Sequence, residues 1–264
     1  MNIKELALRP ELCNIDTFNN ALVIFIAYKD QVDLDECIIT FMYSISKFVE
    51  YQMFMKEKSK VLFNLMERHI DSDGEYQQES CRQKIFSTIH NMTENEEVCK
   101  QLNVTWFIQM TNKMFQQTEE GLYSSDHIHE LALKSLINMC RYYTDNLEDV
   151  NLKQLFQELA NQYPKFKSLS KQYSLRLVTI LTRQWNQNKI EEYLVEIVEI
   201  LSEFIANCTS EVEIKLVLIN LEKIACFKNL MKALAEVDCQ QLITNIASFL
   251  KRSLEEDTYV QASE

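Results

Sequence analysis

The residues in this chain that could do chemistry are four histidines, eight cysteines and a large stock of carboxylates. The densest cluster is Asp126-His127-Ile128-His129-Glu130. It has the residue types of a metal site and the wrong spacing. Positions i and i+2 on a helix diverge by about 200°, so His127 and His129 cannot easily reach one ion. Zinc-protease helices carry their histidines at i and i+4, and no such pair occurs here. The pentad reads instead as a helix N-terminus with Asp126 as its cap. His90 falls inside the repeat-core motif FSTIHNMT (86–93) and reads as a helix-packing histidine; His69 is the fourth histidine. The cysteines (Cys13, Cys37, Cys81, Cys99, Cys140, Cys208, Cys226, Cys239) are scattered, with no CxxC. Most sit in apolar helical patterns, where a reduced thiol behaves as a small hydrophobe. There is no G-x-S-x-G, phosphate loop or dinucleotide fingerprint. Runs such as Glu94-Asn95-Glu96-Glu97 read as solvated faces and first turns of helices. The sequence therefore yields no catalytic residue, no metal site and no cofactor, and a non-enzymatic protein is the expectation.

The elements that position these residues follow from composition. The chain has 264 residues with only two glycines and two prolines, against roughly 12% for the pair in average proteins. Hairpin turns and glycine-rich loops need residues at positive φ, so an all-α fold is expected. A hydrophobic fraction of 47% and a net charge of −12 fit a globular chain and argue against a phosphate-backbone partner. The longest apolar run, 21–28, is far short of the ~20 residues of a membrane span. No apolar h-region follows the N-terminus, so no signal peptide is expected and the cytoplasm or nucleus is the expected compartment. No direct nucleic-acid or membrane partner is expected.

Apolar spacing of i, i+3, i+4, i+7 recurs along the chain. It predicts helices over 16–29, 33–49, 58–70, 75–93, 95–101, 104–118, 127–144, 148–162, 168–186, 190–207, 211–225, 228–236 and 239–254. Asp71-Ser72-Asp73-Gly74 and the stretch from Gly121 to Asp126 are expected helix-to-helix turns, and Pro164 is expected to close a helix. Five helices share one pattern. Aligning Ile45, Ile89, Leu136, Ile180 and Leu221 gives spacings of 44, 47, 44 and 41 residues.

The stretch from Ile85 to Phe115, IFSTIHNMTENEEVCKQLNVTWFIQMTNKMF, resembles an armadillo repeat. An aliphatic helix ends in a Leu-x-Asn-Leu-like core, echoed by LINMC around Asn138. A short helix with Glu96, Cys99 and Leu102 then precedes the next long helix, with Asn103 where the family usually has glycine. The resemblance covers about residues 16–254 and extends to HEAT-like repeats. It implies a right-handed α-solenoid of about five armadillo/HEAT-like repeats. Residues 1–254 would form one domain with helical caps at both ends, and 255–264 an acidic, flexible tail.

In the armadillo family the third helix of each repeat lines a concave groove in which an Asn holds a peptide backbone. That position falls on Lys47, Asn91, Asn138, Thr182 and Lys223. The family's tryptophan positions, four residues earlier, hold Tyr43, Ser87, Lys134, Val178 and Ile219, so recognition of basic import signals is not expected. With Arg141 and Arg183 nearby, the groove of Tyr43, Lys47, Ser87, Asn91, Lys134, Asn138, Arg141, Thr182 and Lys223 would be locally basic. It would suit an acidic or phosphorylated peptide. The implied function is a scaffold or adaptor binding a partner peptide or helix. A regulatory subunit docking through convex or cap surfaces is the alternative, and a helical membrane adaptor the alternative of another class.

Overall fold

The computed structural model describes residues 32–57, 76–119, 126–142, 149–184, 191–208, 210–227 and 229–236, with a few single positions outside these stretches. The regular elements among the described residues are all helical, with no strand. They are α1 (Val32–Ser46), α2 (Val49–Glu57), α3 (Tyr76–Thr93), α4 (Glu96–Cys99), α5 (Val104–Glu119), α6 (Asp126–Tyr142), α7 (Asp149–Gln162), α8 (Ser168–Gln184), α9 (Leu194–Asn207), α10 (Glu211–Ala225) and α11 (Leu230–Glu236). The segments expected at 58–70 and 239–254 and the acidic tail lie outside the described stretches, as do most of 16–29, Gly74, Gly121 and His69.

The helix ends are set by local hydrogen bonds. Asn95 caps α4 by accepting from the amides of Glu97 and Val98. Asn103, at the position where the resemblance leads one to look for glycine, caps α5: its Oδ1 accepts from the Trp106 amide at 3.0 Å. Ser210 caps α10 by accepting from the amide of Glu213, in the Ser-x-x-Glu order of a capping box. Pro164 ends α7, as expected, by starting a 3₁₀ turn at Tyr163–Lys165. Asp126 is already helical, one residue inside the cap expected for it. The helix expected at 33–49 stops at Ser46, and α2 begins at Val49 with no start signal in the sequence. The break is held by side chains: Ser46 Oγ donates to the Tyr43 carbonyl, and Gln52 Nε2 donates to the Ser46 carbonyl at 2.8 Å. The last turn of α1 thereby finds partners without a glycine.

The contacts divide the chain into two compact units, Met1–Tyr143 and Thr144–Glu264. No Pro/Gly/Ser stretch marks the boundary in the sequence. In the first unit α3 packs on α1 and α6 packs on α3. Lys84 Nζ donates to Thr40 Oγ1, and seven residues later Asn91 Nδ2 donates to Ser46 Oγ. Contacts that advance together along both helices mean that α1 and α3 run the same way. Helices α2, α4 and α5 pack against members of this layer. Phe86 meets Phe107 at 6.1 Å and Phe115 meets the ring of His129 at 5.6 Å.

The second unit stacks two helix pairs. Helix α7 packs on α9 and α8 on α10. The Lys153–Glu196 ion pair and the Tyr163–Phe204 ring contact, at 3.9 Å, follow one another along α7 with its 3₁₀ extension and α9. Ser168 bonds Glu213, and Thr179 and Thr182 bond Asn220, along α8 and α10. Both pairs are parallel. Lys171 is buried, and its Nζ donates to the carbonyl of Asn207 at the end of α9, where the helix dipole favours a cation.

Candidate functional site

The layer α1–α3–α6 carries the residues singled out for a binding groove in the first unit. Asn91 donates to Ser46 Oγ at 2.8 Å, and Ser46 donates onward to the Tyr43 carbonyl. Asn138 donates to Thr93 Oγ1 at 3.2 Å, and Thr93 donates to the His90 carbonyl. The same bridge occurs twice, one period of 47 residues apart (46 to 93, 91 to 138). Burial repeats with that period. Ile38, Ile39, Phe41, Met42, Ile45 and Ser46 are buried, and so are all six residues 47 positions further on, from Ile85 to Thr93, and the six beyond those, from Ala132 to Cys140.

This register corrects the sequence alignment. Ile45 corresponds to Met92, not Ile89, a shift of three residues or about one helical turn. Buried apolar residues stand at both positions, so the apolar pattern alone does not choose between them; the hydrogen-bonded partners do. In the second unit the residues aligned with this core, Ile180 and Leu221, are only half-buried, while Val178, Leu181, Val217 and Ile224 are buried.

The register also rearranges the groove. Lys47, Glu94 and Arg141 form one exposed row, and Thr40, Ser87 and Lys134 a half-buried one, seven residues nearer the helix N-termini. Lys134 is therefore about two turns from Lys47, not one, and an acid stands between the two bases of the outer row. Lys47 Nζ lies 4.4 Å from the centre of the Tyr43 ring. Burial lowers the His90 pKa, Glu94 opposes it, and Lys134 and His127 add to the lowering. The amides of Asn91 and Asn138, assigned to a peptide backbone by the resemblance, reach the preceding helix instead.

In the second unit Thr182 is fully buried, its hydroxyl bonded to the Val178 carbonyl and to Asn220. It is a packing residue and cannot line a groove. Lys223 and Arg183 are exposed. Sequence reasoning missed Asn220, fully buried between Thr179 and Thr182; an Asn inside the otherwise apolar run LVLINL (216–221) was the signal.

The histidine pentad divides as its spacing predicts: His127 is exposed and His129 buried. Burial pulls the His129 imidazole down to about 4, with Asp126 opposing. Among the described residues no group of histidine, cysteine and carboxylate side chains could hold a metal ion. Cys81, Cys99, Cys140 and Cys208 are buried thiols outside any disulfide, and burial pushes Cys99 and Cys140 up to about 12. Cys37 is half-buried and Cys226 exposed, while Cys13 and Cys239 lie outside the described residues. No described helix is long and apolar enough to cross a membrane. Neither family models, curated proteins nor solved structures give a match to the chain.

Proposed function

We propose that this chain is a non-enzymatic protein–protein interaction scaffold or adaptor, an α-solenoid of about five armadillo/HEAT-like repeats that binds a partner peptide or helix along its stacked helices. The observation that carries the reading is the 47-residue period, seen both in the Asn-to-hydroxyl bridges and in the buried positions of α1, α3 and α6. Parallel helices at a fixed period are how repeat proteins build extended binding faces, since each unit buries its apolar side on the next and leaves one side open. The partner class is an acidic or phosphorylated peptide, and the compartment the cytoplasm or nucleus.

The test is affinity purification of the wild-type chain, followed by capture of the co-purifying partner by a Lys47→Glu, Lys134→Glu, Lys223→Glu variant. The variant should keep its helicity and lose the partner, more steeply at low salt. Undiminished capture at both low and moderate salt would refute binding through these lysines. The alternative of a regulatory subunit docking elsewhere draws support from Phe48 and Val49, large apolar side chains exposed at the α1–α2 turn. A Val49→Asp change that abolishes capture would favour it.

A further inference from the structure

The charges of the second unit point to a more specific site. Helix α8 has 17 residues and no carboxylate among them, in a chain with a net charge of −12. Of its three bases, Lys171 is turned inward onto the Asn207 carbonyl. Arg176 and Arg183 are exposed, and they stand two turns apart on one stripe.

The bonds from Thr179 and Thr182 to Asn220 fix how α8 and α10 lie side by side. At ~100° per residue, that pairing sets the α8 stripe of Leu169, Arg176, Ile180 and Arg183 beside the α10 stripe of Val212, Ile219 and Lys223. Leu169 and Val212 are 50% and 45% exposed, large apolar side chains at the same end of the two helices. Ile180 and Ile219 are half-buried between the cations. The nearest described acid on α10 with an exposed side chain, Glu222, lies roughly 90° round the helix from this face. Apolar side chains flanked by three exposed cations, with no carboxylate among the described side chains of the two helices on this face, make a surface of one sign on an acidic molecule.

We propose that this face of α8 and α10 docks an acidic amphipathic helix of a partner protein. Leu169, Ile180, Val212 and Ile219 take its apolar side; Arg176, Arg183 and Lys223 meet carboxylates along its edges. Helix-in-groove recognition uses this division of labour. The stripe from Leu169 to Arg183 is about 21 Å long, so about four turns of partner helix cover it. Burying the apolar side supplies affinity, and the cations set orientation and speed of encounter. The inference rests on the interaction-scaffold reading and narrows it to one face and one partner chemistry.

The experiment uses the full chain and a fluorescein-labelled synthetic peptide of Glu and Leu patterned as an amphipathic helix, followed by anisotropy. Its Glu-to-Lys and Leu-to-Ser counterparts are the controls. The Glu–Leu peptide should bind, more weakly as salt rises, and both counterparts should bind at least about tenfold more weakly. Arg176→Glu with Arg183→Glu should weaken binding by about tenfold or more at unchanged helicity. If that pair unfolds the chain, Arg176→Gln with Arg183→Gln is the readout and should weaken binding in the same direction. Absence of binding, equal binding of the Lys peptide, or no effect of the α8 variants overturns the proposal. So does a preference for an extended phosphopeptide. Loss of binding only in the Lys47→Glu, Lys134→Glu variant also overturns it, while leaving the scaffold reading intact. Failure of the scaffold reading shows separately, as no partner in the affinity purification.

Discussion

Asn220 offers the sharpest test of how α8 and α10 are held together. It is fully buried. Its Nδ2 donates to Thr179 Oγ1 at 2.9 Å and to the Leu216 carbonyl at 2.8 Å, and its Oδ1 accepts from Thr182 at 3.1 Å. Each such bond contributes about 1 kcal/mol net, and truncation to Ala also leaves a small cavity. Asn220→Ala should therefore cost about 2–4 kcal/mol. The two threonines soften the loss: Thr179 already gives its proton to the Leu175 carbonyl, and Thr182 can turn its single proton from Asn220 to the Val178 carbonyl at 2.9 Å. No hydroxyl proton is stranded when the asparagine goes. A double-mutant cycle with Thr179→Val isolates one bond and should give a coupling of about 0.5–1.5 kcal/mol. The assay is urea unfolding of the full chain by circular dichroism, with stability read from the midpoint at constant slope. Coupling below about 0.3 kcal/mol, within the error of additivity, would mean that Asn220 does not bridge the helices. The geometry assigned to the α8–α10 face would then lose its foundation.

Other perturbations follow from the same structure. Ile89→Asp and Leu136→Asp each put an unpaired charge into a buried site and should cost several kcal/mol, whereas Lys165→Asp, exposed, should cost less than about 0.5 kcal/mol; equal midpoints would mean the core register is wrong. His129 has its pKa lowered by burial from 6.5 to about 4. Between those values the unfolded chain binds the extra proton, so this stabilisation is present at neutral pH and is lost as the pH falls from 6.5 toward 4. About 2 kcal/mol should go between pH 7 and pH 5, and His129→Leu should show a correspondingly smaller loss; identical pH profiles would refute a neutral buried imidazole. Cys99 and Cys140, pushed up to about 12 by burial, should take up iodoacetamide only on denaturation, while exposed Cys226 reacts in the folded chain, as peptide mapping would reveal. The far-UV spectrum should have the helical double minimum; a single sheet-type minimum would contradict the fold.

Helix positions were largely legible because caps and apolar spacing agree. The expected 211–225 matches α10 residue for residue, and Ser210 with Glu213 explains why. Helix α2 was not legible, because its start depends on a side chain, Gln52, reaching the Ser46 carbonyl rather than on any punctuating residue. The three-residue slip between Ile45 and Met92 has a similar cause: helical periodicity fixes a face and leaves the turn free. The groove suffered most from this. One turn of error exchanged Glu94 for Asn91 opposite Lys47. Thr182 could be identified as buried only once Asn220 was known to lie against it. A threonine on an inner stripe, unlike an asparagine inside an apolar run, has no signature of its own when its partner is some forty residues away.

The bridges of the first unit have a direction. In each, the earlier helix supplies a hydroxyl and the later one brings the amide. Ser46 and Thr93 place their protons on their own helices, at the carbonyls of Tyr43 and His90. On the ribosome, where the N-terminal part emerges first, a finished helix thus has no stranded donor while the next is being made. It waits with a satisfied proton and an open lone pair, a dock that the following asparagine completes on arrival. Assembly in the order of synthesis then requires no earlier hydrogen bond to be broken. The opposite polarity would leave an amide on the earlier helix bonded to water until its acceptor was translated, and that water would have to be shed at docking.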